Sequence, residues 1–288
     1  MPIIVVCGRS GTTLLRLMLD AHPALAIPPE TGFLYRAAEL SQQPSQMRQA
    51  LFDAVTRHPP LALAWADFGI DAAAFKQAID AIEPFSIAAS YRAFYRLHAD
   101  RHGKPRYGDK TPMYCLHLQL ISKVLPEAHF IHLIRDGRDV ALSLRETWFS
   151  SGPDVETQAA YWQHWLQTGS AQGRQCPHYL ELRYEDLVLR PGKSLRRVCD
   201  FIELDFDDSM LNYHQRAPDR LSQHRARYDA NGELIVSRER RLFNQRKTAE
   251  PPDPSRVYAW KKTMSEDEVR RFDGIADSTL RQFGYSCA

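Results

Sequence analysis

The chain has 288 residues, 44% of them hydrophobic and 25% charged, which is enough apolar material for one large α/β domain or two small ones. Its 37 lysines and arginines nearly balance its 35 aspartates and glutamates, and the net charge of +2 gives no support for nucleic-acid binding. The five cysteines are widely spaced and form no C-x-x-C pair, which argues against a disulfide framework or a zinc site and indicates reduced thiols.

The sequence also lacks the patterns that membranes and secretion require. No run approaches the roughly 18 apolar residues of a membrane-spanning helix, and no signal-peptide pattern precedes the first apolar segment. We therefore expect a cytoplasmic protein without a membrane span.

The first thirty residues contain a strand pattern, a glycine-containing loop and a helix pattern in immediate succession. Residues 3–6 are β-branched and predict a strand, and residues 14–19 place apolar side chains at helical spacing. The loop between them combines two glycines, one arginine and three hydroxyl side chains, which are Gly8, Gly11, Arg9, Ser10, Thr12 and Thr13. Backbone N–H groups and the helix macrodipole at such a junction favour an oxyanion. The loop therefore predicts a site for a phosphate-like group, although an ordinary turn in a βα unit has the same outline.

This loop is not a Walker A loop. That motif requires glycine at position 6 and lysine at position 12, where this chain has Val6 and Thr12. The fixed cation is instead Arg9, which lies three residues before the position of the Walker lysine. The pattern thus predicts an anion loop that lacks the lysine and the magnesium ligand of nucleotide-hydrolysing P-loops.

Two charged residues follow short extended segments. Glu30 follows residues 25–27 and two prolines, and Lys110 follows a short strand pattern that ends in Asp109. Ligands of open α/β sheets bind at the carboxyl ends of the strands, so both side chains are candidates for a site. The alternatives are a solvated or helix-capping acid at Glu30 and an exposed lysine beside a helix N-cap at Lys110.

A second strand-to-helix junction begins with the nearly continuous apolar run 129–134, which predicts a buried parallel strand. Arg135 and Arg138 follow it, and Ser143 lies in the helix pattern beyond. Asp136 and Asp139 allow a purely structural ion-pair network here. We favour a second anion site, because both junctions should lie at the same edge of the sheet.

The rest of the chain alternates helix and strand patterns. Residues 44–102 predict a helical insertion, and residues 154–173 predict a helix whose Tyr161, Trp162 and Trp165 belong to the core. Residues 216–247, the basic segment, carry nine arginines and lysines against four acids and predict a long basic loop near the anion sites or a solvated charged face. A Pro-rich connection extends this loop to about residue 255, and Ser265 with Glu268 predicts a capping box before the last helix.

These motifs together resemble the sulfotransferases that use 3′-phosphoadenosine 5′-phosphosulfate (PAPS). GRSGTTLLRLMLDAHP resembles their 5′-phosphosulfate loop, and LIRDGRDVALSL, about 125 residues later, resembles their 3′-phosphate motif. DKTP, LRYEDLVLRP and a terminal WKK helix extend the resemblance over nearly the whole chain. The most similar branch is that of the tyrosylprotein sulfotransferases and related bacterial enzymes.

The resemblance implies an α/β fold, a P-loop-type parallel β-sheet flanked by helices, in a single domain over residues 1–288. The helical insertion spans about 44–102 and the basic loop about 216–255. It also implies site residues. The cofactor-binding residues, for PAPS and its product PAP, are Gly8, Arg9, Ser10, Gly11, Thr12, Thr13, Arg135, Ser143, Tyr184, Lys261 and Lys262. The catalytic residues are Glu30 as general base, Arg9 at the transferring group, Lys110 as transition-state stabiliser and Asn244, placed by counting back from Trp260 to a catalytic serine of that branch.

The implied reaction moves a sulfuryl group in line from PAPS to an acceptor hydroxyl without a metal ion. Arginine and lysine can neutralise the leaving oxygen, and a carboxylate can take the proton of a phenol whose pKa is near 10. One position departs from the family pattern, since tyrosylprotein sulfotransferases carry arginine two residues after the base, where this chain has Gly32; Arg36 is retained. A tyrosine peptide, a small molecule, a glycan and a lipid therefore all remain open as acceptors. A P-loop kinase of a small metabolite is the alternative function, and the sequence leaves open whether the protein forms a homodimer.

Overall fold

The computed structural model of the chain describes residues 1–39, 44–145, 152 and 154–287. Within these ranges a central parallel sheet has the strand order β4-β1-β5-β6. Its strands are β1 (Pro2–Val5), β4 (Asp109–Lys110), β5 (His129–Ile134) and β6 (Tyr179–Arg183). Two small pairs lie outside it, β2 (Leu25–Ala26) parallel to β3 (Arg106–Tyr107) and β7 (Arg227–Tyr228) antiparallel to β8 (Leu234–Val236).

The strands of the central sheet are separated in the sequence by one or more α-helices. They are α1 (Thr12–Asp20), α2 (Pro44–Thr56), α3 (Ala72–Asp80), α4 (Ile87–Arg101), α5 (Leu118–Val124), α6 (Gly137–Arg145), α7 (Val155–Gly173), α8 (Tyr184–Leu189), α9 (Pro191–Phe201), α10 (Ala217–Leu221), α11 (Arg238–Gln245), α12 (Trp260–Thr263) and α13 (Glu266–Gln282). In the part of the chain that the structure describes, no helix combines the length and the apolar character needed to cross a membrane.

Both faces of the central sheet are covered, as the continuous apolar strands predict. Successive side chains of a strand point to opposite faces. Ile4 of β1 packs in one core with α1, α8 and α9, whereas Ile3 packs in a second core with α5 and the helical insertion. A third core joins α6, α7 and α13. The predicted α/β fold, a parallel sheet flanked by helices, is confirmed.

Local signals at helix ends account for several boundaries. Ser265 and Glu268 form the predicted capping box at the start of α13, and Gly284 follows its end with φ +76°. After β6 the chain forms two helices, α8 and α9, and Pro191 occupies the first turn of the second one.

The basic segment differs from its prediction as a loop. It contains α10, β7, β8 and α11, and Ser237 caps α11 by accepting a hydrogen bond from the Arg240 backbone N–H. Its sequence shows little apolar periodicity because ion pairs with the helical insertion, described below, hold these elements in place.

Candidate active site

The carboxyl ends of β1, β4 and β5 open into one cavity of about 1160 Å³. This volume lies slightly above the range of about 300–1,000 Å³ that is usual for small-ligand pockets. Most of the site residues predicted from the sequence line its wall, namely Gly8, Arg9, Gly11, Thr12, Thr13, Glu30, Lys110, Arg135, Ser143, Tyr184 and Asn244.

The loop after β1 is held in a conformation that suits an anion site. Arg9 and Gly11 both have positive φ, +70° and +94°, and α1 begins directly after them. The Ser10 hydroxyl donates to the Cys7 carbonyl at 2.9 Å and is fully buried. The Ser10 hydroxyl therefore fixes the turn, and the prediction that Ser10 binds the cofactor stays a prediction.

Gly11 is required twice at this turn. Its φ lies in the left-handed region, and an ideal Cβ would lie 2.5 Å from ring carbons of Tyr184. We expect Gly11→Ala to lower the free energy of unfolding by about 1–3 kcal/mol and to weaken PAP binding. Chemical denaturation and PAP calorimetry measure both effects. Gly192→Ala is the matched control, because an ideal Cβ there meets no atom within 4 Å, and an equal loss in both variants would contradict this explanation.

The second junction contacts the first directly. Arg135 Nη1 donates to the Arg9 carbonyl at 3.1 Å, and Arg9 Nε donates to Ser143 Oγ at 3.1 Å. The Arg135 guanidinium also lies over the Tyr184 ring, 4.5 Å from its centroid. Its Nε is buried without a hydrogen-bond partner among the described residues, which leaves a donor for a ligand. The expectation that both junctions meet at one sheet edge is thus met by the adjacent strands β1 and β5.

The structural alternative at this junction is also present, but it involves the other arginine. Arg138 is buried and donates from Nη2 to Asp136 at 2.9 Å, while its guanidinium lies over the Trp260 ring. Asp139 accepts from the backbone N–H groups of Tyr258 and Trp260. These contacts build the core, so Arg135 is the arginine of the junction that remains on the cavity wall.

Glu30 and Lys110 form an ion pair on the cavity wall. Lys110 Nζ lies 2.5 Å from Glu30 Oε1; the lysine side chain is 5% exposed and the glutamate side chain 45%. Removal from water alone would raise the pKa of Glu30, but the charge and the hydrogen bond of Lys110, together with the charge of Arg227, outweigh it and hold the pKa below its ordinary value. Burial lowers the pKa of Lys110, although Glu30 opposes this shift. At neutral pH the carboxylate is therefore ionised and able to accept a proton.

Hydrogen bonds of neighbouring residues hold the segments of Glu30 and Lys110 together. Thr31 Oγ1 donates to Asp109 Oδ2 at 2.6 Å, and the Thr31 backbone N–H donates to Thr111 Oγ1 at 3.1 Å. These two bonds lie on either side of Lys110 in the sequence. They join the segment that carries Glu30 to the segment that carries the lysine.

Helix α1 holds the Glu30 segment from its other side. Arg16 Nε donates to the Ile27 carbonyl at 3.0 Å, and the Ile27 backbone N–H donates to Asp20 Oδ1 at 2.7 Å. The side chains of Arg16 and Asp20 are both buried, and both belong to the helix that begins at the anion loop. One rigid helix therefore connects the anion loop with the segment leading to Glu30.

The cavity wall beside Glu30 is neutral at Gly32 and His58. Gly32 has φ +76°, and an ideal Cβ there would lie 2.6 Å from His58 Nε2. Burial and the charges of Arg36 and Arg227 lower the pKa of His58 to about 4, so the ring is uncharged at neutral pH. An arginine side chain at position 32 has no space unless His58 moves.

The basic segment forms the opposite wall and is anchored by one buried carboxylate. Asp67, 1% exposed, accepts from both guanidinium nitrogens Nη1 and Nη2 of Arg241 at 2.8 Å and from Arg227 Nη2 at 3.0 Å. The Arg225 backbone N–H also donates to it at 2.8 Å. These contacts place Asn244, three residues after Arg241 on α11, on the cavity wall.

Two predicted residues are not brought to the cavity. Lys261 and Lys262 are exposed on α12. Trp260 is anchored inward, because its indole N–H donates to Asp136 at 3.0 Å, and the lysines after it face away. Arg256 lines the cavity instead, and its carbonyl accepts from Arg135 at 2.9 Å.

Sequence patterns missed several residues of the wall. Tyr161 and Trp165 of α7 were predicted as core residues, yet both are half-buried and line the cavity. An ideal Cβ on Gly8 would lie 3.5 Å from the Tyr161 hydroxyl oxygen, so this phenol covers the anion loop. The sequence offered only one signal that His224, Arg227 and Arg241 line the site, which is the high density of basic residues in their segment.

Comparison with known proteins identifies the family. The model described as "Sulfotransferase family" matches residues 2–208. The chain belongs to the sulfotransferase family. Among curated proteins it is 25% identical to protein-tyrosine sulfotransferase A of Caenorhabditis elegans, over 99% of this chain and 67% of that protein. It is 26% identical to protein-tyrosine sulfotransferase 1 of Danio rerio, over 75% of this chain and 57% of that protein.

Solved structures show the same fold. The sulfotransferase domain from the curacin biosynthetic pathway aligns with a TM-score of 0.63 and 22% identity, covering 100% of this chain and 98% of that one. The sulfotransferase domain of the Synechococcus PCC 7002 olefin synthase aligns with a TM-score of 0.58 and 25% identity, covering 96% and 94%. The predictions of a sulfotransferase and of the sulfotransferase fold are confirmed.

Proposed function

We propose that this sulfotransferase transfers the sulfuryl group of PAPS to the hydroxyl group of an acceptor, with Glu30 as general base and without a metal ion. The observation that carries the proposal is the Glu30–Lys110 ion pair on the wall of the cavity that also contains both anion junctions. In the reaction the acceptor oxygen forms a bond to sulfur while the bond from sulfur to the 5′-phosphate oxygen breaks. The acceptor proton passes to Glu30, and PAP leaves.

The residues present fit a nucleotide with phosphate groups at two positions. The backbone of the loop and the start of α1 suit the 5′-phosphosulfate. Arg135 has a buried, unpartnered Nε within the described chain, and with Ser143 it suits the 3′-phosphate. Arg9 and Lys110 supply positive charge where the leaving oxygen develops negative charge. A mouse sulfotransferase of the same fold, 13% identical, with a TM-score of 0.50, was solved as a complex with PAP.

The acceptor is a hydroxyl compound that enters between Glu30 and the basic segment. The curated relatives are named as protein-tyrosine sulfotransferases, which supports a phenolic hydroxyl. The neutral wall at Gly32 and His58 gives no support for the acidic-peptide recognition that an arginine there provides in the related branch.

A transfer screen tests this proposal. The protein is incubated with ³⁵S-labelled PAPS and a panel of phenols, sugars, lipids and tyrosine peptides, with EDTA or with magnesium. We expect PAPS-dependent label transfer to at least one class, at the same rate with EDTA. In parallel, calorimetry compares PAPS and ATP, and tighter magnesium-dependent binding of ATP would indicate a kinase and contradict the proposal.

A further inference from the structure

One buried histidine of the basic segment faces the cavity in a fixed chemical form. His224 is 8% exposed and lines the cavity. Its Nδ1 lies 3.1 Å from Arg241 Nη2. A guanidinium can only donate hydrogen bonds, so Nδ1 accepts this one, and the proton of the neutral ring must lie on Nε2.

The arginine that fixes the ring is itself held rigidly. Arg241 makes a two-pronged contact with Asp67, in which both nitrogen–oxygen distances are 2.8 Å. Asp67 is 1% exposed and also binds Arg227 and the Arg225 backbone N–H. A bidentate contact of this kind fixes the plane of the guanidinium as well as its position. Asp67, Arg241 and His224 therefore form a chain of hydrogen bonds that leads from the helical insertion to the cavity.

The electrostatic surroundings keep the ring neutral. Burial, and then the charges of Arg241 and Arg16, lower the pKa of His224 to about 3, against the opposing effect of Asp67. Lys110 contributes in the same direction as the arginines. The groups that face the ring thus come from α11, α1, β4 and the helical insertion. His224 and Glu30 both line this cavity.

We propose that His224 binds the acceptor, donating a hydrogen bond from its neutral Nε2–H to an oxygen atom of the acceptor, with Arg241 and Asp67 as its positioning residues. The proposal rests on the sulfuryl transfer described above. His224 does not act as the base, because the lone pair of Nδ1 is occupied by Arg241 and Nε2 carries a proton. The acceptor class is accordingly one that presents an oxygen to an N–H donor while its hydroxyl faces Glu30.

Two substitutions separate donation from other roles. Glutamine can place its Nε2–H near the position of the histidine Nε2, whereas leucine keeps the volume and offers no donor. With the fastest of the phenols, sugars, lipids and tyrosine peptides in the screen, we expect His224→Leu to lower kcat/KM for the acceptor about 10- to 100-fold, mainly through KM. His224→Gln should remain within about threefold of the unmodified protein. His164→Leu, at an exposed position of α7, is the matched control and should have no effect.

Unchanged acceptor kinetics in His224→Leu would overturn the inference, and so would equal losses of kcat in the leucine and glutamine variants, which would indicate a base. PAP affinity, measured by calorimetry, should be unchanged in all three variants, since the donor is bound by the two anion junctions. If the unmodified protein transfers sulfate to no acceptor, the proposed function fails instead.

The form of the ring can be measured without any substrate. In protein labelled with ¹⁵N-histidine, NMR should show His224 with a protonated Nε2 and an unprotonated Nδ1 from pH 8 down to pH 5. Asp67→Asn and Arg241→Lys should both give a mixture of ring forms, because the guanidinium is no longer held in place or is absent. A His224 ring that protonates near pH 6.5, or that carries its proton on Nδ1, would contradict the geometry on which the inference rests.

Discussion

Replacing Glu30 by glutamine is expected to lower the rate of sulfuryl transfer by about 10²–10⁴-fold while PAP affinity stays within about threefold. Glutamine keeps the shape of the side chain and removes its ability to take a proton. The charge and the hydrogen bond of Lys110, with the charge of Arg227, outweigh the effect of burial on the Glu30 pKa, so the unmodified protein has the carboxylate ionised at neutral pH. Single-turnover transfer of labelled sulfate measures the rate, and calorimetry measures the affinity for PAP.

The control for this experiment is another paired glutamate. Glu83 lies 2.6 Å from Arg48 in the helical insertion and is largely exposed, so Glu83→Gln should leave the transfer rate unchanged. Full activity in Glu30→Gln would remove Glu30 as the base. Loss of PAP affinity by the same factor as the rate would show that the substitution acts on the donor site, because Lys110 has lost the negative charge of its partner.

Replacing Arg135 by alanine is expected to weaken PAP binding by about 100-fold. The substitution removes a charge-assisted donor to the 3′-phosphate, worth about 1.5–3 kcal/mol. It also releases the Arg9 and Arg256 carbonyls and the Tyr184 ring, which Arg135 holds together. Arg135→Lys should recover only part of the affinity, since an ammonium cannot reproduce the planar fork.

Calorimetry with PAP and with adenosine 5′-phosphosulfate, which has no 3′-phosphate, tests the assignment of that phosphate. The loss in Arg135→Ala should be large for PAP and small for the nucleotide without the 3′-phosphate. Arg240→Ala is the control, because Arg240 is exposed on the opposite wall of the cavity. Equal losses for the two nucleotides would mean that Arg135 supports the loop without contacting the 3′-phosphate.

The strand-to-helix junctions could be predicted from the sequence because each carries two independent local signals. A β-branched or continuous apolar run fixes the strand, and a change to helical spacing after a glycine or an arginine fixes the turn. Parallel strands then bring their carboxyl ends to one edge, which was enough to expect Arg9 near Arg135. The order β4-β1-β5, which places Lys110 beside β1, depends on long-range pairing and has no local signature.

The parts that sequence reasoning missed are those where a tertiary contact decides which way a side chain faces. The sequence pattern suggests Lys261 and Lys262 as anion ligands. The indole of Trp260 is anchored in the core, however, and both lysines are exposed. Ser10 resembles a ligand donor and is used by its own turn. The basic segment appeared irregular because its order depends on Asp67, more than 150 residues earlier in the chain, and not on an apolar face of its own.

The connection through α1 has a consequence for how acceptor selectivity can change. The anion loop, Arg16, Asp20 and the segment of Glu30 lie within the first thirty residues, so one short stretch of chain holds the anion loop and the proposed base together. The basic segment forms the opposite wall. It is attached to the rest of the domain through the ion pair of Arg220 with Asp20 and through the contacts of Asp67. Exchanging residues 224–243 between family members, with Asp67 and Arg241 retained, should therefore change acceptor preference while Glu30, Lys110 and Asn244 stay in place.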